Sequence, residues 1–267
     1  MIENKIEYQA WLGQNESLRM DANSKMFPES RRRFHLARYE FASRYCQGKR
    51  VLDGACGTGY GSDLLGKFAA EVHGIDCSQD AIDYASKAYG NSTVAFQKYF
   101  VEATQFDAGS FDVVVSLETI EHTLCPDSHI MEVTRLLNPG TGLAVLSIPN
   151  SWGLTDHHFI DFNMERLDLL VKKYFSEIKY FYQNPDTHTS LPGIGEMKSS
   201  EPSNAQCIIA VCSKPRIENI STDRSKYIMD EIYKVAFDRH NEYLSLAYRQ
   251  NTSYLRRIVE RMKKWAK

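Results

Sequence analysis

Two groups of residues in this 267-residue chain carry side chains whose types and spacing suit chemistry. The first is Asp53-Gly54-Ala55-Cys56-Gly57-Thr58-Gly59, with Asp76 following it. Gly57 and Gly59 have no Cβ and adopt φ > 0 readily, so the backbone there can bend sharply and approach a ligand closely. Asp53 ends the apolar run Val51-Leu52. A carboxylate at that point repels a pyrophosphate and suits a cationic ligand, and the stretch is not the G-x-G-x-x-G fingerprint of a dinucleotide site. Asp76 lies about 20 residues on, where a second strand brings an acid beside a ribose diol. The plain alternative is a glycine-rich turn that binds nothing. The second group is Glu118-Thr119-Ile120-Glu121-His122, with His158 and Asp161 farther along. Histidine is the side chain whose ordinary pKa lets it accept a proton near neutral pH. Glu118 and Glu121 are placed to orient His122, and Asp161 to orient His158. The plain alternative for His122 is a helix cap or a packing residue.

Both groups need a scaffold that brings strand ends together. Strand patterns at 51–53, 71–76, 93–98, 112–117, 142–147, 176–181 and 207–212 are interleaved with helical patterns at 62–68, 79–89, 129–137 and 164–175. Such alternation predicts a parallel sheet covered by helices, an α/β Rossmann-like architecture of seven strands. Phe111-Asp112-Val113-Val114-Val115-Ser116 is almost wholly apolar and reads as a central strand. Between the last two strands there is no helical pattern, only a stretch rich in Pro, Gly and Ser from about Gln183 to Asn204. The last strand is therefore expected to run antiparallel. In open sheets of this kind ligands bind beyond the carboxyl ends of the strands, which is where both groups fall.

The run Asp53 to Gly59 resembles the first motif of class I S-adenosylmethionine-dependent methyltransferases, an acid followed by G-x-G-x-G or A-C-G-T-G. The resemblance spans roughly residues 27 to 213 and implies S-adenosyl-L-methionine as cofactor. It implies that Asp53, Gly54, Ala55, Gly57 and Gly59 line the methionine end and that Asp76, followed by Cys77, takes the ribose hydroxyls. Arg38, from an Arg38-Tyr39 pair ahead of the first strand, is implied at the cofactor carboxylate, and Glu118 at the same ligand. Many relatives carry Gly-Asp-Ala after the third strand, where this chain reads Tyr99-Phe100-Val101-Glu102. Adenine recognition is thereby shifted to the backbone near Val101 or to Glu102.

The Glu118–His122 run, Leu136-Leu137-Asn138-Pro139-Gly140 and Ser147-Ile148-Pro149-Asn150 resemble ubiquinone-type and polysaccharide-associated O-methyltransferases. Residues 155–163 resemble the N-P-F-H-x-x-E-F-T segment of glycan-modifying members, with His158 and Asp161 on its histidine and acid and with Asp156 and His157 departing from it. The implied activity is methyl transfer to a hydroxyl of a small acceptor, a sugar of a polysaccharide or glycoconjugate precursor, with His122 as base and His158 at the acceptor. Two alternatives stand beside it: a phenol or quinone-precursor O-methyltransferase, and a non-catalytic module that keeps the fold. No metal is expected.

Composition narrows the partners. A net charge of −2 offers no basic excess for a nucleic-acid backbone. The six cysteines form no CxxC pair and read as buried free thiols. The N-terminus has no apolar signal core, and no run of about 18 apolar residues occurs, so a cytoplasmic protein without a transmembrane segment is expected. Three regions follow. Residues 1–30 are polar and irregular, with Pro28 as a breaker and Ser30 as the expected cap of a helix from Arg31 to about Cys46. Residues 31–215 make the methyltransferase-like domain. Residues 221–267 carry an apolar stripe (Ile228, Ile232, Ala236, Tyr243, Ala247, Tyr254, Ile258, Met262) that predicts a long amphipathic helix with a basic end. That helix packs back on the domain, builds a homo-oligomer, or touches an anionic membrane or partner enzyme.

Overall fold

The computed structural model describes residues 20–25, 27–123, 125–153, 158–184, 193–197 and 205–216. Along them run α1 (Glu29–Ser43), β1 (Arg50–Gly54), α2 (Tyr60–Gly66), β2 (Glu71–Asp76), α3 (Gln79–Tyr89), β3 (Val94–Lys98) and β4 (Val113–Leu117). A 3-10 turn (Ile120–His122), α4 (Pro126–Leu136), β5 (Leu143–Pro149), α5 (Met164–Val171), β6 (Phe175–Asn184), β7 (Gly193–Glu196) and β8 (Cys207–Pro215) complete them.

The strands form one sheet in the order β3-β2-β1-β4-β5-β8-β6-β7. The β3 to β5 side is parallel throughout. β8 inserts between β5 and β6 and runs antiparallel to both, as the lack of an intervening helix dictates. Alternate residues of each strand face opposite sides. Leu52, Val114, Leu146 and Ile208 pack against Ile130 and Val133 of α4 and Leu167 of α5. Val51, Val113, Val115 and Val145 pack on the other face with Phe41 of α1, Leu65 of α2 and Tyr84 of α3. A Rossmann-like sheet with helices on both faces results, and the carboxyl ends of β1, β2 and β4 meet along one edge.

Three expectations change. The sheet has eight strands among the described residues, because Gly193–Glu196, expected as loop, pairs with the far end of β6. β6 runs to Asn184, beyond the expected Phe181, and so offers an edge for it. A Cβ on Gly195 would come within 2.8 Å of the Tyr182 ring, so this pairing depends on a residue type that gives no strand signal. α1 begins at Glu29 after Pro28, with no side-chain cap, and Ser30 lies inside the helix. Pro28 already fixes the backbone at φ −53°, which makes the cap dispensable. The N-terminal segment, expected to be merely irregular, is tied down where it is described. The buried Asp21 accepts hydrogen bonds from Tyr84 Oη at 2.8 Å and from Tyr89 Oη at 3.1 Å. Residues 1–19 and the tail at 221–267, including its expected helix, lie outside the described residues.

Candidate active site

The glycine-rich turn leaves β1 and is pinned at three points. Cys56 N donates to Ile75 O of β2 at 2.8 Å. Gly57 N donates to Asp76 Oδ2 at 3.1 Å, and Ser78 N to Asp76 Oδ1 at 2.9 Å. Thr58 Oγ1 donates to Met20 O at 2.9 Å, so the N-terminal segment braces the turn from outside. Ala55, Gly57 and Gly59 all have left-handed backbone, at φ 59°, 57° and 87°, and that close series of positive φ values curls the chain. The two glycines differ in why they are glycine. A Cβ on Gly57 would meet nothing within 4 Å, whereas one on Gly59 would sit 2.7 Å from Ala85 Cβ and 2.8 Å from the Phe96 ring. Gly57 thus faces open space, and Gly59 is a packing residue that lets α2 start against α3.

Asp53 is completely buried. Ser62 Oγ donates to its Oδ2 at 2.6 Å and Tyr39 Oη to its Oδ1 at 3.3 Å. Burial raises its pKa to about 7, the two hydrogen bonds opposing and the Asp76 charge reinforcing the shift. Asp53 therefore ties β1 to α1 and α2 from beneath the turn. Arg38 is equally enclosed: its Nη1 donates to Gln183 Oε1 at 3.1 Å and lies 3.4 Å from Cys207 Sγ, and its Nη2 lies 3.1 Å from His35 Nδ1. Its Nε is buried without a hydrogen-bond partner among the described residues. Burial works against the Arg38 charge, yet the neighbouring Glu118 carboxylate holds it firmly protonated. Val101 and Glu102 lie in the turn after β3, closed by the Phe100–Ala103 bridge and hung from β2 by Tyr99 N donating to Asp76 O at 3.2 Å. Burial raises the Glu102 carboxyl above its ordinary value.

The second group follows β4. Glu118 has left-handed backbone at φ 52°. Its N–H donates to Ser147 O and Oγ of β5, while Ser147 Oγ donates to Glu118 Oε1 at 2.8 Å. Cys207 Sγ lies 3.6 Å from the other carboxylate oxygen. Thr119 Oγ1 reaches Gly54 O at 3.5 Å, which joins this group to the glycine-rich turn. In the 3-10 turn Glu121 points inward and His122 outward: their side chains are 1% and 40% exposed, with His122 Nε2 3.6 Å from Glu121 Oε1. Burial first, and the charge of Glu118 next, drive the Glu121 carboxyl well above the usual range. His158, after β5, meets His122 edge to face with ring centroids 4.9 Å apart. Asp161 accepts from Gly153 N at 2.9 Å and so fastens its own loop.

The structure gathers Gly54, Ala55, Gly57, Asp76, Cys77 and Glu118 around the strand ends and brings His122 and His158 into contact, although 36 positions separate them in the chain. It places Arg38 and Asp53 inside the protein with partners of their own. Sequence reasoning gave no role to Ser62, Thr119 and Ser147: the Ser62 hydroxyl holds Asp53, that of Ser147 holds Glu118, and that of Thr119 joins the two groups. Single hydroxyl residues carry no periodic signal, and only their contacts reveal them.

This arrangement, a mostly parallel Rossmann-like sheet with a glycine-rich turn at the end of β1 and an acid at the end of β2, defines a nucleoside-binding fold class. Residues 52–145 match the methyltransferase domain family. A Mycolicibacterium smegmatis protein named "Probable S-adenosylmethionine-dependent methyltransferase" is 33% identical over 118 residues, 44% of this chain and 45% of that protein. The ubiquinone biosynthesis O-methyltransferase of Methylococcus capsulatus is 36% identical over 96 residues, 35% of this chain and 40% of that one. The chain thus spans less than half the length of these curated relatives. A Thermotoga maritima S-adenosylmethionine-dependent methyltransferase shares the fold at a TM-score of 0.57 and 18% identity, over 80% of this chain and 97% of that one. The matched domain and the shared fold support a class I S-adenosylmethionine-dependent methyltransferase and imply S-adenosyl-L-methionine as its cofactor. The residues fit that ligand: Gly57 leaves open the space a side chain would fill, and Asp76 presents a carboxylate beside it. Among the described residues no helix is long and apolar enough to cross a membrane.

Proposed function

We propose that the protein transfers the methyl group of S-adenosyl-L-methionine to a hydroxyl oxygen of a small acceptor, of the sugar class found in polysaccharide or glycoconjugate precursors. The observation that carries this reading is the His122–His158 pair, poised beside buried Glu121 at the strand ends next to the cofactor turn. When bound, the cofactor supplies an electrophilic methyl on a sulfonium. The turn at Gly57 and the carboxylate of Asp76 hold it, and Arg38 and Asp53 act as positioning residues from the inside.

An alcohol is a weak nucleophile near neutral pH, so the acceptor oxygen must lose its proton as its bond to carbon forms and the sulfur–carbon bond breaks. His122, solvent-facing at the strand ends, is placed to take that proton, and His158 to hold the acceptor. Aligning the two reactants in line supplies up to about 7–11 kcal/mol of the barrier reduction, and a base adds about 10²–10⁴-fold.

The second reading is a phenolic or quinone-precursor acceptor, favoured by the identity shared with the ubiquinone biosynthesis O-methyltransferase. Incubation with methyl-labelled cofactor and parallel panels of sugar nucleotides, glycans and catechols decides between them. Label in catechols alone removes the sugar reading, and label in none, with no cofactor binding by calorimetry, leaves only the non-catalytic module. The six cysteines are free thiols, which supports placing the protein in the reducing cytoplasm.

A further inference from the structure

The 3-10 turn and the loop after β5 bring together three side chains of metal-ligand type. The ligand atoms of Glu121, His122 and His158 all lie within 4.8 Å of one another. Phe159 N donates to Glu121 O at 2.8 Å, so backbone fastens the two segments and the grouping does not rely on long mobile side chains. Glu121 is the second observation. Its carboxylate is 1% exposed, and neither oxygen has a hydrogen-bond partner among the described residues. A buried carboxylate in that state is strongly disfavoured unless it takes up a proton or meets a cation. On the other side His122 is open to solvent, which gives an ion a way in and a substrate a way to reach it.

We propose that Glu121, His122 and His158 hold a divalent first-row metal ion whose remaining positions face the acceptor. Two imidazoles and a carboxylate suit zinc, manganese or cobalt better than magnesium, which prefers oxygen donors. A set of three protein ligands is also what leaves a coordination position open for chemistry. Donors about 2.1 Å from a tetrahedral ion sit about 3.4 Å from one another. His122 Nε2 and Glu121 Oε1 already stand 3.6 Å apart, so rotation of side chains closes the group without moving backbone.

Resting on the transfer to oxygen proposed above, the ion has a second consequence. A hydroxyl held at an open position gives up its proton near neutral pH, as metal-held water does. The O–H bond breaks, the proton passes to solvent, the oxygen forms its bond to the methyl carbon, and the sulfonium becomes a thioether. His122 is then a ligand, and the proton needs no side-chain base.

The test uses the full-length, untagged protein after treatment with a chelator, titrated with Co²⁺ and followed by visible absorption. Saturable one-to-one uptake is expected, with the spectrum of nitrogen and oxygen ligation and without a thiolate-to-cobalt band, which sets the six cysteines aside. Glu121→Gln and His158→Ala should each weaken uptake at least tenfold while S-adenosylmethionine affinity stays at the wild-type value. No saturable uptake by the wild type, or equal uptake by both variants, overturns the site. If Glu121→Gln loses its circular-dichroism signature, His158→Ala, in a loop, decides alone. A site that binds cobalt in a protein that methylates no hydroxyl sinks the transfer reading and leaves the metal site standing. Turnover that persists unchanged in excess chelator overturns the ion's part in the transfer.

Discussion

Gly57 and Gly59 look alike in sequence and answer to different physics, which separates binding from stability. Gly57→Val puts a branched side chain into the open face of the turn at φ 57°, and loss of measurable S-adenosylmethionine binding by calorimetry is expected. Gly59→Ala drives a methyl into Ala85 and the Phe96 ring; overpacking of this kind destabilises by about 1–3 kcal/mol, read as a lower midpoint in denaturant. A Gly59→Ala protein of unchanged stability would show that the α2–α3 contact yields easily. Asp76→Ala removes the acid beside the turn, and a loss of about 1.5–3 kcal/mol of cofactor affinity is expected, the worth of hydrogen bonds to a charged group. Asp53 gives a pH signature. Its folded pKa of about 7 exceeds the unfolded value of about 3.9, so the folded chain binds the proton more tightly and stability falls as pH rises through 7. Between pH 5 and 8 the wild type should lose stability relative to Asp53→Asn, a difference that cancels the other titrating groups, Glu121 among them. Parallel profiles for the two proteins would mean that Asp53 is ionised when folded throughout that range.

Among the elements, α1 and α2 are held together by a contact that tolerates no added atom. A Cβ on Gly61, in the first turn of α2, would lie 2.0 Å from the Tyr39 ring of α1, and Tyr39 Oη also reaches Asp53. Gly61→Ala should therefore lower stability by about 1–3 kcal/mol through displacement of Tyr39, and Gly61→Ala with Tyr39→Leu should recover part of it. Additive losses in that double variant would argue that the helices move apart as whole units. The elements that the sequence declares best are those with an unbroken period. The apolar run at 113–117 is such a local feature, whereas the caps that form, at Ser78 and Asn163, which accept from Ala81 N at 3.3 Å and Arg166 N at 2.9 Å, were not among the expectations. β7 escaped because Gly193-Ile194-Gly195-Glu196 is weak by composition and is a strand only where β6 offers an edge. The site was legible to the same degree. The turn and its acids are short sequence motifs, whereas the contact between His122 and His158, and the burial of Glu121, are products of tertiary packing.

At the scale of the whole molecule, the described sheet closes its own core. Among the described residues both apolar clusters run from Met20 to Cys212, and β8, the last described strand, is sandwiched between β5 and β6. Every apolar side chain of Cys207 to Cys212 is buried. The sequence carries an apolar stripe from Ile228 to Met262, and in water a stripe of that length is stable only against another surface, that of the domain or that of a partner. Removal of residues 221–267 should leave cooperative unfolding and S-adenosylmethionine affinity at full-length values. The sedimentation coefficient should fall by more than the lost mass explains, because a self-associating helix has gone. A truncated chain that sediments in proportion to its mass removes the oligomer reading, and one that no longer unfolds cooperatively shows that the tail packs back upon the sheet.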